Sequence, residues 1–264
     1  MTKTATPLTF LEKAGYSAAD AAANFVFMTM ILFQLNFYTD VFGLSASAAA
    51  AVLLWPRLWD AFFDPIMGVL ADRTNTRWGK FRPWVLGTAV PFGIMGVLTF
   101  TTPPLGPEGK LVWAYVTYIV LMMVYSANNL PYSALSGVIT GDLGERTSLS
   151  SYRFVFAMSA AFVIQGLALP MVNYFGQGDS AKGYQYTMGI FSVLAIVFFI
   201  ITFATTKERV APDPSQQSSI KQDFADLAKN GPWIAMFALT IFIFITLAMR
   251  GGVMLYYFKY YLGR

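Results

Sequence analysis

The sequence predicts an all-α membrane protein, six transmembrane helices in a bundle followed by a seventh. Three observations predict it. The 264 residues are 56% hydrophobic and only 12% charged, about half the charge of an average soluble domain, which is too little to cover a water-facing surface. Stretches free of Asp, Glu, Lys and Arg run over 21–39, 41–56, 83–107, 111–141, 154–178, 183–206 and 230–249, and about 20 apolar residues in a helix cross the hydrocarbon. Runs such as 190–204 do not alternate, as the strands of a membrane barrel would.

The elements follow in order. The first span, about 16–40, contains an Ala-rich stretch at 18–23 that looks like a leader cleavage site. No apolar run precedes it, so an uncleaved N-terminus is expected. The second, 47–71, passes over Arg57, Asp60 and Asp64. The third to sixth are 83–103, 111–140, 153–175 and 185–205, and the seventh, 232–259, passes over Arg250. Between the last two lies the long polar stretch 206–231, with Pro212, Pro214 and Gln-Gln-Ser-Ser at 216–219. Within it Ile220, Phe224 and Leu227 recur at i, i+4 and i+7, as in a short amphipathic helix. The expected division is a six-helix bundle over 1–205, a tether over 206–231, and over 232–264 the first helix of a second bundle.

Orientation follows from the basic loop residues. Lys3, Lys13, Arg73, Arg77, Lys80, Arg82, Arg146, Lys207, Arg209, Lys221 and Lys229 fall on one side, against Lys110 and Lys182 on the other. That asymmetry puts the N-terminus in the cytoplasm and explains the net charge of +4 without nucleic acid. With no Cys and no His, thiolate chemistry, His-dependent triads and His zinc motifs are excluded. No enzyme activity is expected.

Ionisable residues at membrane depth are functional hypotheses by default. Asp60 and Asp64, at i and i+4, share one face of the second helix. Two carboxylates that close repel, and a proton or alkali cation between them relieves the repulsion. Arg57 lies one turn before them; either it neutralises one acid and the set glues helices together, or a surplus negative charge remains to hold a cation. Asp20 has no basic neighbour within a turn, and Arg153 is either its partner or a snorkelling surface residue. In the fourth span Tyr125, Ser126, Asn129, Tyr132 and Ser133 set polar groups beside aromatic rings, as a sugar requires. Asn128 reads better as a tie between helices, and Pro131 points to a broken or kinked helix. After the second span, Gly68 permits close helix packing, and Asp72, Arg73 and Arg77 suggest a charge relay at a gate. Topogenic charge is the plainer alternative.

These residues resemble a known family. Trp-Asp-Ala-Phe-Phe-Asp-Pro-Ile-Met-Gly (59–68), the loop 71–84, Asn-x-Pro-Tyr-x-x-Leu (129–135), 145–153 and the Arg-Gly-Gly pattern of 250–260 are similar to the glycoside–pentoside–hexuronide:cation symporters, the melibiose permease-like family of the major facilitator superfamily. The resemblance covers about residue 10 to 264. It implies a major facilitator-type six-helix N-terminal bundle plus one helix of the second half. It also implies symport of a sugar or glycoside with Na⁺, Li⁺ or H⁺ across the cytoplasmic membrane, and no cofactor beyond the coupling ion. By the same resemblance Asp60, Asp64 and Ser126 bind the cation, and Asp20 and Arg153 bind sugar. Asn129 stands where melibiose-type members carry Asp, Ser133 where they carry Trp, and Ala19 where they carry Lys. These three departures tell against a galactoside, and the loss of a carboxylate at 129 alone is compatible with an anionic uronide or with a pentoside of different hydroxyl geometry. A sodium-coupled lysolipid transporter on the same scaffold and a non-transporting sensor or scaffold half are the alternatives.

Overall fold

The computed structural model describes residues 7–210 and 226–256, apart from the side chains of 244 and 247–256. The expected amphipathic helix at Ile220 and Phe224 lies outside the described residues, as does the side chain of Arg250. Among the described residues every extended element is a helix, and a single isolated bridge pairs Thr76 with Gly79.

Local signals start most helices. Helix α1, Phe10–Asn36, begins at a capping box in which the Thr9 hydroxyl accepts from the Glu12 amide and the Glu12 carboxylate accepts from the Thr9 amide. It continues as a π turn, Phe37–Val41. Helix α2, Ala46–Arg73, is capped by Ser45. Helix α3, Arg82–Thr99, and helix α4, Pro107–Ile139, each carry proline in the first turn, where its missing amide costs nothing. Helix α5, Leu143–Gly176, and helix α6, Ser180–Thr205, are capped by Asp142 and Asp179. Helix α7, Gly231–Tyr256, belongs to a second compact unit, Pro212–Arg264, with Trp233 stacked on Phe237.

By length and composition alone, α1 with its π turn, α4, α5 and α6 are long and apolar enough to cross a membrane. Helix α2 departs from that pattern because Arg57, Asp60 and Asp64 dilute its apolar run. Helix α3 has 18 residues, about 27 Å at 1.5 Å per residue. Helix α5 starts at Leu143, ten residues before the apolar window predicts, because a capped polar turn precedes it.

In the first unit α1 packs on α5 and α6, α6 also on α3 and α5, and α4 on α2 and α3. The approach of α1 to α6 depends on Gly15, since a Cβ there would collide with the Thr205 side chain. Thr202 uses the contact, donating from Oγ1 to the Gly15 carbonyl at 2.7 Å. At the opposite end Phe37, Tyr38, Phe42, Phe100 and Tyr184 form a buried aromatic cluster.

The end of the bundle that carries most of the basic loop residues is fastened by residues 206–210. The Glu208 carboxylate accepts from the backbone amides of Lys80, Phe81 and Arg82 at 2.8, 2.8 and 3.0 Å. It thereby caps α3 from the far end of α6, where the helix dipole favours a negative charge. Gly79 allows it: its φ is +110°, and the Glu208 carboxyl occupies the space a Cβ would need. The Arg209 and Val210 amides donate to the Val138 carbonyl of α4 at 2.7 and 2.9 Å, and Arg209 pairs with Glu12 of α1. Lys13 of α1 pairs with Glu145 of α5 at 2.8 Å, and Arg146 closes the end of α4 through the Gly137 and Thr140 carbonyls.

Candidate functional site

Helix α2 carries Asp60 and Asp64 one turn apart, both half-buried. Because α2 lies along α4, the buried Ser126 hydroxyl reaches Asp60 and donates to Oδ1 at 2.8 Å. Asp64 Oδ1 is buried and has no hydrogen-bond partner. Arg57 is exposed and forms no ion pair among the described residues, so the alternative in which it neutralises one acid is corrected. Two carboxylates and a hydroxyl are hard oxygen donors, suited to a proton or an alkali cation. Among the described residues no group of three or more acids gathers as a larger metal site.

Asp20 is different. Arg153 crosses from α5 to α1 and grips it with Nε to Oδ2 at 2.7 Å and Nη2 to Oδ1 at 3.1 Å. Arg153 is therefore the partner of Asp20 rather than a snorkelling residue. Tyr132 of α4 donates its hydroxyl to the same Oδ2 at 2.6 Å. The guanidinium lies 4.9 Å from the Tyr132 ring centroid and 5.8 Å from that of Tyr16. The two rings stack at 4.7 Å, and the Tyr16 hydroxyl donates to the Tyr132 carbonyl at 3.0 Å. Sequence reasoning missed Tyr16 and left Tyr132 without its partner. The available signal was that Tyr16 and Asp20 are i and i+4 on one helix.

Tyr125 of α4 stacks its ring on Phe27 of α1 at 4.8 Å. Ser126, Asn129 and Ser133 follow at i, i+3 and i+7 along α4, from buried through half-buried to exposed, so they share one face. Asn128 faces elsewhere and ties α4 to α3, donating to Thr88 Oγ1 at 2.7 Å and the Val85 carbonyl at 3.3 Å. Pro131 does not break the helix; α4 is continuous from Pro107 to Ile139, with the proline ring buried. Neighbouring helices can hold a proline-containing segment that isolation would not.

The loop after α2 departs from expectation in two ways. A Cβ on Gly68 would meet nothing within 4 Å, so no close helix packing forms there among the described residues. Asp72 pairs with Lys80 at 2.9 Å instead of entering a relay with Arg73 and Arg77, and Arg77 stacks over Trp78 at 4.8 Å. The turn at Thr76 to Gly79 brings Lys80 back toward the end of α2, which is why the nearer arginines in sequence lose the acid. An apolar pocket of about 740 Å³ lined by residues such as Val97, Gln185, Tyr186 and Ile190 contains no charged side chain and is separate from these groups.

Comparison with known proteins gives the family of the chain. A family model described as MFS/sugar transport protein matches residues 15–264. The inner membrane symporter YicJ of Escherichia coli (strain K12) is 43% identical over 256 residues, covering 97% of this chain and 55% of that protein. The isoprimeverose transporter of Lactiplantibacillus pentosus is 40% identical over 252 residues, with 94% and 53% covered. The glucuronide carrier protein homolog of E. coli (strain K12) is 32% identical over 253 residues, with 94% and 54% covered. The chain spans about half the length of the curated relatives it matches, which are named as symporters, transporters and carriers rather than enzymes. It is a multi-pass membrane protein and belongs to the MFS/sugar transport protein family.

Proposed function

From that membership and the geometry of the two acid sites, we propose that the chain is part of a secondary transporter that moves a glycoside, pentoside or hexuronide together with Na⁺, Li⁺ or H⁺. The observation that carries the reading is the pair Asp60 and Asp64: one acid is held by Ser126, a buried oxygen of the other lacks a partner, and Arg57 pairs with neither. A cation bound by Asp60, Asp64 and Ser126 cancels part of that charge and allows the adjoining face of α4 to order around a sugar. By linkage the sugar then raises cation affinity by the same factor. Asp20, Tyr125, Asn129, Ser133 and Arg153 are the sugar-binding groups in this reading.

Residues 1–205 then act as the N-terminal six-helix bundle, 206–231 as the cytoplasmic interdomain linker, and 232–264 as the first helix of a second bundle that closes the cavity. The protein lies in the cytoplasmic membrane with its N-terminus inside. A loaded site nearer to neutrality lets the two bundles rock about it. Asn129 and Ser133 offer neutral hydrogen-bonding groups, and the names of the relatives include an isoprimeverose transporter and a glucuronide carrier homolog; both features favour a xyloside or glucuronide over a galactoside.

Uptake of labelled xylosides, glucuronides and galactosides by cells expressing the full-length protein, with and without Na⁺, Li⁺ or a proton gradient, tests the proposal. Cation-stimulated uptake of a xyloside or glucuronide is expected. A clear galactoside preference overturns the substrate reading, and uptake of none overturns the function.

A further inference from the structure

The most completely built polar cluster in the bundle contains a group that the transport reading has not used, the Tyr132 hydroxyl. Its residue is 1% exposed, and Tyr16 beside it is 0% exposed, so neither is a wall of a substrate cavity. Tyr132 touches Asp20, which does carry the proposed chemistry. Counting lone pairs shows what that contact does. A carboxylate oxygen accepts about two hydrogen bonds. Asp20 Oδ2 already accepts from Arg153 Nε and from Tyr132, so it is saturated. Oδ1 accepts one, from Arg153 Nη2, and keeps one lone pair. On Arg153, Nε and Nη2 are engaged, while Nη1 makes no hydrogen bond to a described residue.

The Tyr132 hydroxyl therefore removes a degree of freedom. With Tyr132 bonded to Oδ2, the carboxylate plane cannot turn without breaking a short charge-assisted hydrogen bond. With the plane held, the guanidinium keeps both prongs of its fork. The Tyr132 ring, 4.9 Å from the guanidinium, packs against the cation with the Tyr16 ring stacked on it at 4.7 Å, and the Tyr16 hydroxyl anchors the backbone of Tyr132 itself.

We infer that Tyr132 is a positioning residue of the sugar site: it locks Asp20 and Arg153 into a fork that leaves one acceptor position, on Oδ1, and one donor edge, Nη1. The pair then recognises a substrate that donates one hydroxyl and accepts at a neighbouring oxygen, as adjacent ring substituents of a glycoside do. Tyr16 buttresses Tyr132 from behind. The inference rests on the transport reading for its substrate, while the fork itself is a property of the chain.

The test uses Tyr132→Phe in the full-length protein, which keeps the ring and its stacking and removes only the hydroxyl. For whichever glycoside of the uptake panel the wild type carries, KM should rise about tenfold, the scale of one hydrogen bond to a charged group. Membrane abundance, Vmax and the half-saturating cation concentration should stay unchanged. In an Asp20→Asn background, the change to Phe should add no further loss of glycoside binding, because the hydroxyl acts through Asp20. An unchanged KM, a fall in Vmax or abundance with KM intact, or an additive loss in that background overturns the inference.

A second readout needs no substrate. The modification rate of Arg153 by p-hydroxyphenylglyoxal, followed by peptide mass spectrometry, should rise several-fold in Tyr132→Phe as the fork loosens. Equal rates overturn the fork even if the wild type carries nothing in the panel, whereas failed uptake with a raised rate overturns the transport reading and leaves the fork standing.

Discussion

Two acidic sites lie in one bundle, and they are built in opposite ways. Asp20 on α1 is closed: a bidentate arginine from α5 and a tyrosine from α4 satisfy it from two other helices. Asp60 and Asp64 on α2 are open: a single serine hydroxyl reaches one of them, a buried oxygen of the other has no partner, and the arginine one turn away pairs with neither. The difference reflects where the helices lie. Helix α1 packs between α5 and α6, where donors converge on it, whereas α2 packs chiefly against α4. A closed acid orients its neighbours and keeps a single defined acceptor position, on Oδ1, for a ligand. An open pair carries charge that packing leaves uncompensated, and only a small cation or a proton can balance it without new side chains.

The contrast can be broken most directly at the open pair. Asp60→Asn and Asp64→Asn should each abolish cation stimulation of glycoside uptake while leaving the protein in the membrane, because the closed site and the helix ends are untouched. If both variants keep wild-type coupling, the cation site lies elsewhere.

A smaller effect is expected from opening the closed site. Arg153→Ala strands the half-buried Asp20 carboxylate with Tyr132 alone. Removing one partner of a buried pair costs about 3–5 kcal/mol, and the lower end applies here because the Arg153 and Asp20 side chains are 29% and 14% exposed. Thermal unfolding in detergent should show a lower melting temperature together with weakened glycoside binding. Arg153→Lys should restore most of the stability but not the binding, since an ammonium cannot make the two-pronged contact. Equal recovery of both would mean that charge alone matters at this position.

The comparison is sharpened by the smallest effect. Arg57 sits beside the open pair in sequence yet pairs with neither acid, so Arg57→Gln should leave the half-saturating cation concentration unchanged within error. A marked fall in that concentration would show that Arg57 competes with the cation for the carboxylates.

How much of this was legible beforehand depended on the range of the physics involved. Asp60 and Asp64 were visible as a pair because a 3.6-residue repeat sets i and i+4 on one face whatever surrounds them. The helix starts at Thr9, Ser45, Asp142 and Asp179 are also local hydrogen-bond patterns, but apolar windows do not read them and place the start of α5 ten residues late. The expected relay of Asp72 with Arg73 and Arg77 failed because proximity in sequence is not proximity in a turn, and Lys80 arrived first. The Glu208 cap on α3 could not have been foreseen from spacing, since its donors lie 126 to 128 residues away.

Composition and hydropathy, by themselves, determined that the chain spans a membrane as a series of helices. Hydrophobic length and missing charge decide that question residue by residue, with no reference to neighbours. Helical periodicity likewise determined that two acids share a face of α2. Only the packing of six helices decided which acid is answered and which is not, because a hydrogen bond needs its partner within about 3 Å. Which donors come that close to Asp20, Asp60 and Asp64 is a property of how α1, α2, α4 and α5 cross, not of any one of them alone.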